Sequence, residues 1–420
     1  MRIVFSTFGT FGDVNPLIAL ALELKRRGHT PVLTAPAMFR EKVEPLGIDF
    51  APVRPDQDPN DKRMVEMIWD IKKGTERGLR EFLFPVIRDS YQDLLAAAAG
   101  ADLLVTGELA YAGPLVAEKT RIPWASYVLA PLSFFSGYDP PVLPPYPILS
   151  KVPSLIPGVG HLVPRFARFV TRNWAEPIYE LRRELGLPHG ENPLFDAKHS
   201  SRLVLALFSR VLGDPHPDWP PSARITGFAF YDGDAGKMSL APELEAFLTA
   251  GPAPLVFTLG SAAVLAAGDF YEVSAKVAEL LGQRAVLLTG NDPQNHPKGP
   301  LPDNIRIAPY APYSQIFPRA SVIIHQGGIG TTAQALKAGR PMLVMPYSHD
   351  QPDNARRVRH LGVAQVIQRK DYRPEAVARK IKALLEDTAC SERAAEVARV
   401  VAAEDGIRTA CDALEGAGRR

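Results

Sequence analysis

One carboxylate, Asp13, follows the apolar run 2–7 in "STFGTFGDVNPLIALALEL", on a loop that Gly9 and Gly12 let bend close to a ligand. Asn15 is expected to cap the next helix, with Pro16 in its first turn, Gly28 at its end, and Leu17, Leu20 and Leu24 on one apolar face. Asp13 is then not needed as the cap, and two readings stay open for it. It is a solvated acid near the helix dipole, or a base that takes a proton from a substrate hydroxyl in a partly dry cleft. An ordinary Asp titrates near ~3.9, so the second reading needs burial to raise it.

"VIIHQGGIGTTAQALKAG" (322–339) has a different chemistry. A buried-looking strand ends at His325, and Gly328, Gly330, Thr331 and Thr332 open a short helix. Glycine backbone N–H groups, threonine hydroxyls and the positive helix end together suit a diphosphate, with His325 as a further donor. Gly260 and Ser261 in "TLGSAA" are placed to approach phosphate in the same way. In "SHDQPDN", Asp350 and Gln351 suit the paired hydroxyls of a sugar, since the carboxylate accepts and the amide both accepts and donates. Neither glycine loop has the spacing of a dinucleotide fingerprint or of a P-loop.

Parallel βαβ units must hold these residues. The first half carries strand-like runs at 2–7, 30–35, 48–53, 102–107 and 124–130. The second carries them at 253–261, 284–290, 304–310, 320–328 and 341–347, with helical segments between. The fold class is therefore α/β, with two facing Rossmann-like, doubly wound parallel-sheet domains and an interdomain cleft. The expected domains are 1–225 and 241–405, with 226–240 as linker and 406–420 as a tail whose helix packs back on the N-terminal domain. Segment 138–174 is proline-rich and then apolar with interspersed arginines. A lid over a greasy substrate, a membrane-surface contact and a plain connecting excursion are its three readings.

Forty-eight basic against 46 acidic side chains give no global field for nucleic acid. Two cysteines without a Cys/His cluster suggest neither zinc nor a disulfide scaffold, so no metal and no cofactor is expected. With no signal-peptide pattern and no apolar run of about 18 residues, the expected location is cytoplasmic, or peripheral to the inner face of the membrane.

The sequence resembles the inverting family 1 glycosyltransferases, the UDP-glycosyltransferase superfamily with the GT-B fold, along essentially its whole length. "HQGGIGTTAQALKAGRPMLVMPYSHDQPDNA" is the most specific block. "GDVNPLIALA" resembles the sterol and aglycone branches, and "PLVFTLGSAAVLAAGDFY" the bacterial rhamnosyltransferases. The resemblance implies a UDP- or dTDP-sugar on the C-terminal domain and a hydrophobic acceptor, of lipid, polyketide, flavonoid or terpenoid type, on the N-terminal domain. It makes Asp13 the catalytic base. It assigns the diphosphate to His325, Gly328, Gly330, Thr331 and Thr332, and the donor sugar to Asp350 and Gln351.

The same resemblance sets Tyr310 where the family stacks an aromatic on the nucleobase. Ala333 stands where plant members carry a ribose-binding Glu, and Gly107 where they keep the Asp that orients their base, with Glu108 beside it. Phe82, Phe84, Phe134, Phe135 and Tyr138 are candidate acceptor contacts along with Glu108. A nucleotide-sugar epimerase and a catalytically silent auxiliary partner are the rival functions.

Overall fold

The computed structural model describes residues 1–56, 67–151, 158–231, 233 and 240–418. The chain forms two units, Met1–Phe230 with Glu404–Arg420, and Tyr231–Ala403. Part of the expected linker, residues 232 and 234–239, lies outside the described residues, as does 152–157 of the proline-rich segment.

Unit 1 is a seven-stranded sheet. Its strands are β1 (Arg2–Ser6), β2 (Thr30–Ala35), β3 (Asp49–Pro52), β4 (Leu103–Gly107), β5 (Trp124–Val128), β6 (Val204–Ala206) and β7 (Ala223–Ile225), in the order β3-β2-β1-β4-β5-β6-β7. Every pairing is parallel. Runs such as "IVFS" and "LLVTG" are buried on both faces because helices cover a parallel sheet on both sides. The strand order reverses between β1 and β4, where Ser6 pairs with Thr106.

Helix α1 (Phe11–Arg26) corrects the expected cap. It begins four residues before Asn15, with Thr10 as N-cap and Asp13 at the third helical position. Asn15 and Pro16 lie inside it, and Pro16 supplies no N–H to the turn before it. Leu17, Leu20 and Leu24 are fully buried, each worth roughly 1.5–3 kcal/mol. The helix Gly406–Gly418 lies against α1. Arg27 Nη1 is 2.6 Å from Asp412 Oδ1, His29 Nε2 is 2.7 Å from Glu415 Oε1, and Cys411 is buried with Sγ 3.7 Å from the Leu20 carbonyl.

The helices Leu162–Val170 and Glu176–Glu184 seat Ala167, Ile178 and Leu181 in the unit 1 core, which makes this stretch a packed part of the domain. Leu162, Arg165, Phe169 and Arg172 remain exposed.

Unit 2 repeats the plan with six strands, β8 (Leu255–Thr258), β9 (Ala285–Leu288), β10 (Ile305–Ala308), β11 (Val322–His325), β12 (Met342–Val344) and β13 (Ala364–Val366). Their order is β10-β9-β8-β11-β12-β13, again all parallel, and it reverses between β8 and β11. The ten runs expected from the sequence each carry a strand. The three-residue strands β6, β7 and β13 come in addition.

Candidate active site

Ligands in open parallel sheets bind past the carboxyl ends of the strands, at the reversal of strand order. In unit 1 the residues following β1 and β4 meet at that place. Thr10 and Asp13 form a capping box. Asp13 Oδ2 accepts from the Thr10 backbone N–H at 2.7 Å and from its hydroxyl at 3.1 Å, while Thr10 Oγ1 accepts from Gly12 N–H at 3.1 Å. Gly9 holds φ at +134°, and a Cβ there would lie 2.3 Å from Asp13 Oδ2, so only glycine lets the carboxylate fold back. Asp13 is half-buried. Burial pushes its pKa up to about 6; the two Thr10 bonds oppose the rise, and the charge of Glu108 adds to it.

Glu108 faces the same pocket as Asp13, an open space of ≈ 220 Å³ lined also by Thr7, Phe8, Leu109 and Tyr127. Its carboxylate accepts from Ser133 Oγ at 2.8 Å and from Lys198 Nζ at 2.9 Å. Burial pushes Glu108 up, but the Lys198 ammonium and the two hydrogen bonds outweigh it and hold the group below its usual range. Glu108 therefore stays ionised while Asp13 titrates near neutrality. Tyr127 donates to Thr7 Oγ1 at 2.8 Å, and a Cβ on Gly107 would lie 2.4 Å from its hydroxyl oxygen. The absence of a side chain at 107 thus follows from the ring of Tyr127.

A second pocket, with ≈ 390 Å³ of open space, shares Thr7, Phe8 and Leu109 with the first and is otherwise mainly apolar, with Val53, Leu83 and Tyr111 in its wall. Two acceptor candidates are corrected here. Phe84 is a core residue set edge-on against Tyr111, and Phe134 is buried 4.2 Å from the Trp219 ring and packed against Phe208. Alternating apolar residues do not reveal which ring faces a pocket. Phe82 touches the pocket wall indirectly, with its ring 5.9 Å from Phe8. Phe135 packs edge-on against Phe195, and Tyr138 stacks on His216 at the surface, so neither lines the Asp13 pocket.

In unit 2 the residues following β8 and β11 meet in the same topological position. Gly260 has φ +66° and Gly327 φ +88°, both in the left-handed region that favours glycine. The helix Ile329–Ala338 starts at Gly328 without a side-chain cap, and its first backbone bond is Thr332 N–H to Gly328 O. The N–H groups of its first turn are therefore free of intrahelical partners. Gly330 is exposed on that turn and Ser261 is exposed after β8. Thr331 and Thr332 are buried, and Thr332 Oγ1 has no hydrogen-bond partner among the described residues.

His325 is placed differently from the phosphate donor expected of it. It is fully buried, and Nδ1 accepts from Gly327 N–H at 3.0 Å. The other ring nitrogen lies 3.4 Å from Met342 Sδ, and burial pushes the pKa down to about 3. A neutral imidazole braces the glycine turn from behind. Asp350 is half-buried and accepts from Asn354 Nδ2 at 2.7 Å, while Asn354 also donates to Gly327 O at 3.0 Å. Gln351 is buried, with Oε1 taken by Tyr347 N–H at 2.9 Å. Tyr310 stands exposed after β10, and Tyr313 pairs with Thr258 Oγ1 at 2.9 Å and stacks on Phe317.

The sequence reading passed over Thr10, Tyr127, Lys198 and Gln326. Thr10 was findable, because T-x-x-D has the spacing of a capping box. Lys198 was not, since it lies 90 residues from its partner. His349 was missed too. It holds φ at +56° directly before Asp350, where a non-glycine residue stores strain beside the site.

Residues 3–131 match the family model described as the glycosyltransferase family 28 N-terminal domain, and residues 274–410 match the erythromycin biosynthesis protein CIII-like C-terminal domain. The chain is 31% identical to the O-mycaminosyltylonolide 6-deoxyallosyltransferase of Streptomyces fradiae, over 99% of this chain and 97% of that one. Among solved structures, the glycotransferase of kitacinnamycin superposes with a TM-score of 0.75 at 20% identity, covering 99% of this chain and 98% of that one. The spinosyn rhamnosyltransferase SpnG complexed with thymidine diphosphate superposes at 0.70 with 18% identity, covering 99% and 100%. Near-complete coverage of a relative above 30% identity, on a fold of two parallel-sheet units, establishes that this chain belongs to the GT-B glycosyltransferases of the UDP-glycosyltransferase superfamily.

Proposed function

We propose that the protein moves a hexose from a UDP- or dTDP-sugar to a hydroxyl of a hydrophobic small molecule, inverting the anomeric centre. The observation that carries this reading is Asp13. Its pKa of about 6 at the mouth of a parallel sheet is that of a base poised for work near neutral pH. Oδ2 is tied to Thr10, which leaves Oδ1 to take the proton. As the acceptor O–H bond breaks toward Oδ1, the oxygen attacks the anomeric carbon. In the same step, on the opposite face of that carbon, its bond to the diphosphate oxygen breaks, and the diphosphate departs with the electron pair.

The charge that gathers on the diphosphate suits the open N–H groups at Gly328–Thr331 and the positive end of their helix. The thymidine diphosphate bound by the structural neighbour SpnG lends weight to dTDP over UDP.

Asp13→Asn tests the reading. Turnover with UDP- and dTDP-sugars and hydrophobic alcohols, followed by mass spectrometry, is expected to fall about 10²–10⁴-fold. Affinity for UDP and dTDP by calorimetry should stay at the wild-type value. Wild-type turnover by the Asn variant would remove Asp13 from the chemistry.

A further inference from the structure

With His325 turned inward, the donor cradle lacks the side-chain donor that its sequence suggests, and the next residue stands in the right place. Gln326 is 94% buried, being only 6% exposed, immediately after β11. Its amide reaches into the gap between the two glycine loops. A Cβ on Gly260 would lie 2.4 Å from Gln326 Nε2, and one on Gly328 would lie 2.8 Å from the same atom. Gly260 needs glycine for its backbone in any case. Gly328 does not, since φ −59° and ψ 143° suit any residue. What the missing side chain at 328 spares is the approach to the Gln326 amide.

That amide is under-used inside the protein. A carboxamide offers two donor hydrogens and two acceptor lone pairs. Among the described residues its only bond is a long one, 3.4 Å from Nε2 to Thr331 Oγ1, and Oε1 has no partner. A buried amide left so incomplete costs stability, and such groups call for an explanation. Oxygen and nitrogen of an amide are assigned by their hydrogen bonds, so either face is available as donor. The free N–H groups of the Ile329–Ala338 helix start two residues further on.

We propose that Gln326 is a diphosphate ligand, its side-chain amide donating to a phosphate oxygen held at the N-terminus of that helix. This rests on the donor-site reading above. It assigns to an uncharged residue the contact that the buried, neutral His325 does not supply. A neutral donor also holds the leaving group without an ion pair that would slow its release.

The experiment compares diphosphates with bare nucleosides on the full chain. UDP and dTDP are titrated by calorimetry, and uridine and thymidine by saturation-transfer NMR, against wild type, Gln326→Ala and Gln326→Glu. The alanine variant is expected to bind the diphosphates roughly 10- to 100-fold more weakly, the range for one hydrogen bond to a charged group. The glutamate variant, matched in shape but charged, should bind them more weakly still. Nucleoside affinity should be unchanged in both. Wild-type diphosphate affinity in either variant overturns the assignment. A parallel loss of nucleoside and diphosphate binding also overturns it, by showing that Gln326 only shapes the loop. Wild-type protein that binds neither diphosphate removes the donor-site reading itself, and this inference with it.

Discussion

The two units reverse their strand order at equivalent places, yet their helices begin there in opposite ways. After β1, the first turn of α1 closes on itself, because Thr10 and Asp13 satisfy each other and a carboxylate occupies the positive helix end. After β11, the helix Ile329–Ala338 opens on Gly328 with no side-chain cap. One helix end holds its own anion in place, while the other is left free for an anion from outside. In the function proposed here, the topology sets where a ligand goes and the capping residue sets which chemistry is done there.

That contrast breaks most sharply if the second helix is made to resemble the first. Gly328→Asp gives the Ile329–Ala338 helix a carboxylate of its own, so UDP and dTDP affinity is expected to fall roughly 10²–10³-fold from like-charge contact. Calorimetric affinity at wild-type level would show that the helix end is not the anion site. The complementary loss, of turnover without loss of nucleotide affinity, belongs to Asp13→Asn.

The acid limb of kcat/KM sharpens the comparison on the unit 1 side. With Asp13 near pKa 6, kcat/KM should be flat above that pH and fall below it as the base takes a proton. Glu108→Gln removes a nearby negative charge, so the Asp13 pKa drops and the limb moves to lower pH. An unmoved limb would sever the two carboxylates. Thr10→Val acts in the other direction. It removes a hydrogen bond to the ionised carboxylate and should move the limb upward, while costing about 0.5–2 kcal/mol as a lost cap, read as a lower midpoint in urea.

Linkage gives the stability counterpart. The folded pKa of Asp13 lies above its unfolded value, so folding takes up a proton between about pH 4 and 6. Ionised Asp13 therefore weighs against the fold above pH 6. Asp13→Asn should then be at least as stable as wild type at pH 8, with any advantage closing as the pH falls from about 6 to about 4.

Much of this was legible in the amino-acid order, because β-branched runs and helical periodicity mark ten strands of the two sheets. The short β6, β7 and β13 were not among the runs read as strands. Asp13 and the 325–332 turn stood out by residue type, but their geometry did not. Asn15-Pro16 is a sound helix start taken locally, and it lost to the T-x-x-D box one turn earlier. His325 looked like a ligand because it borders glycines, while its inward turn depends on Met342 and Gly327. The Glu108–Lys198 pair and the Gln326 amide exist only once strands distant in sequence are laid side by side.

The helix Gly406–Gly418 has a bearing on how the molecule is made. Unit 2 is spliced into unit 1, since the chain leaves at Phe230 and returns at Glu404. During synthesis the Rossmann-like sheet of unit 1 emerges first, but the flank of α1 that Cys411, Asp412 and Glu415 cover stays bare until the whole of unit 2 has been translated. The domain begun first is thus the one finished last, and its completion certifies that unit 2 has already left the ribosome.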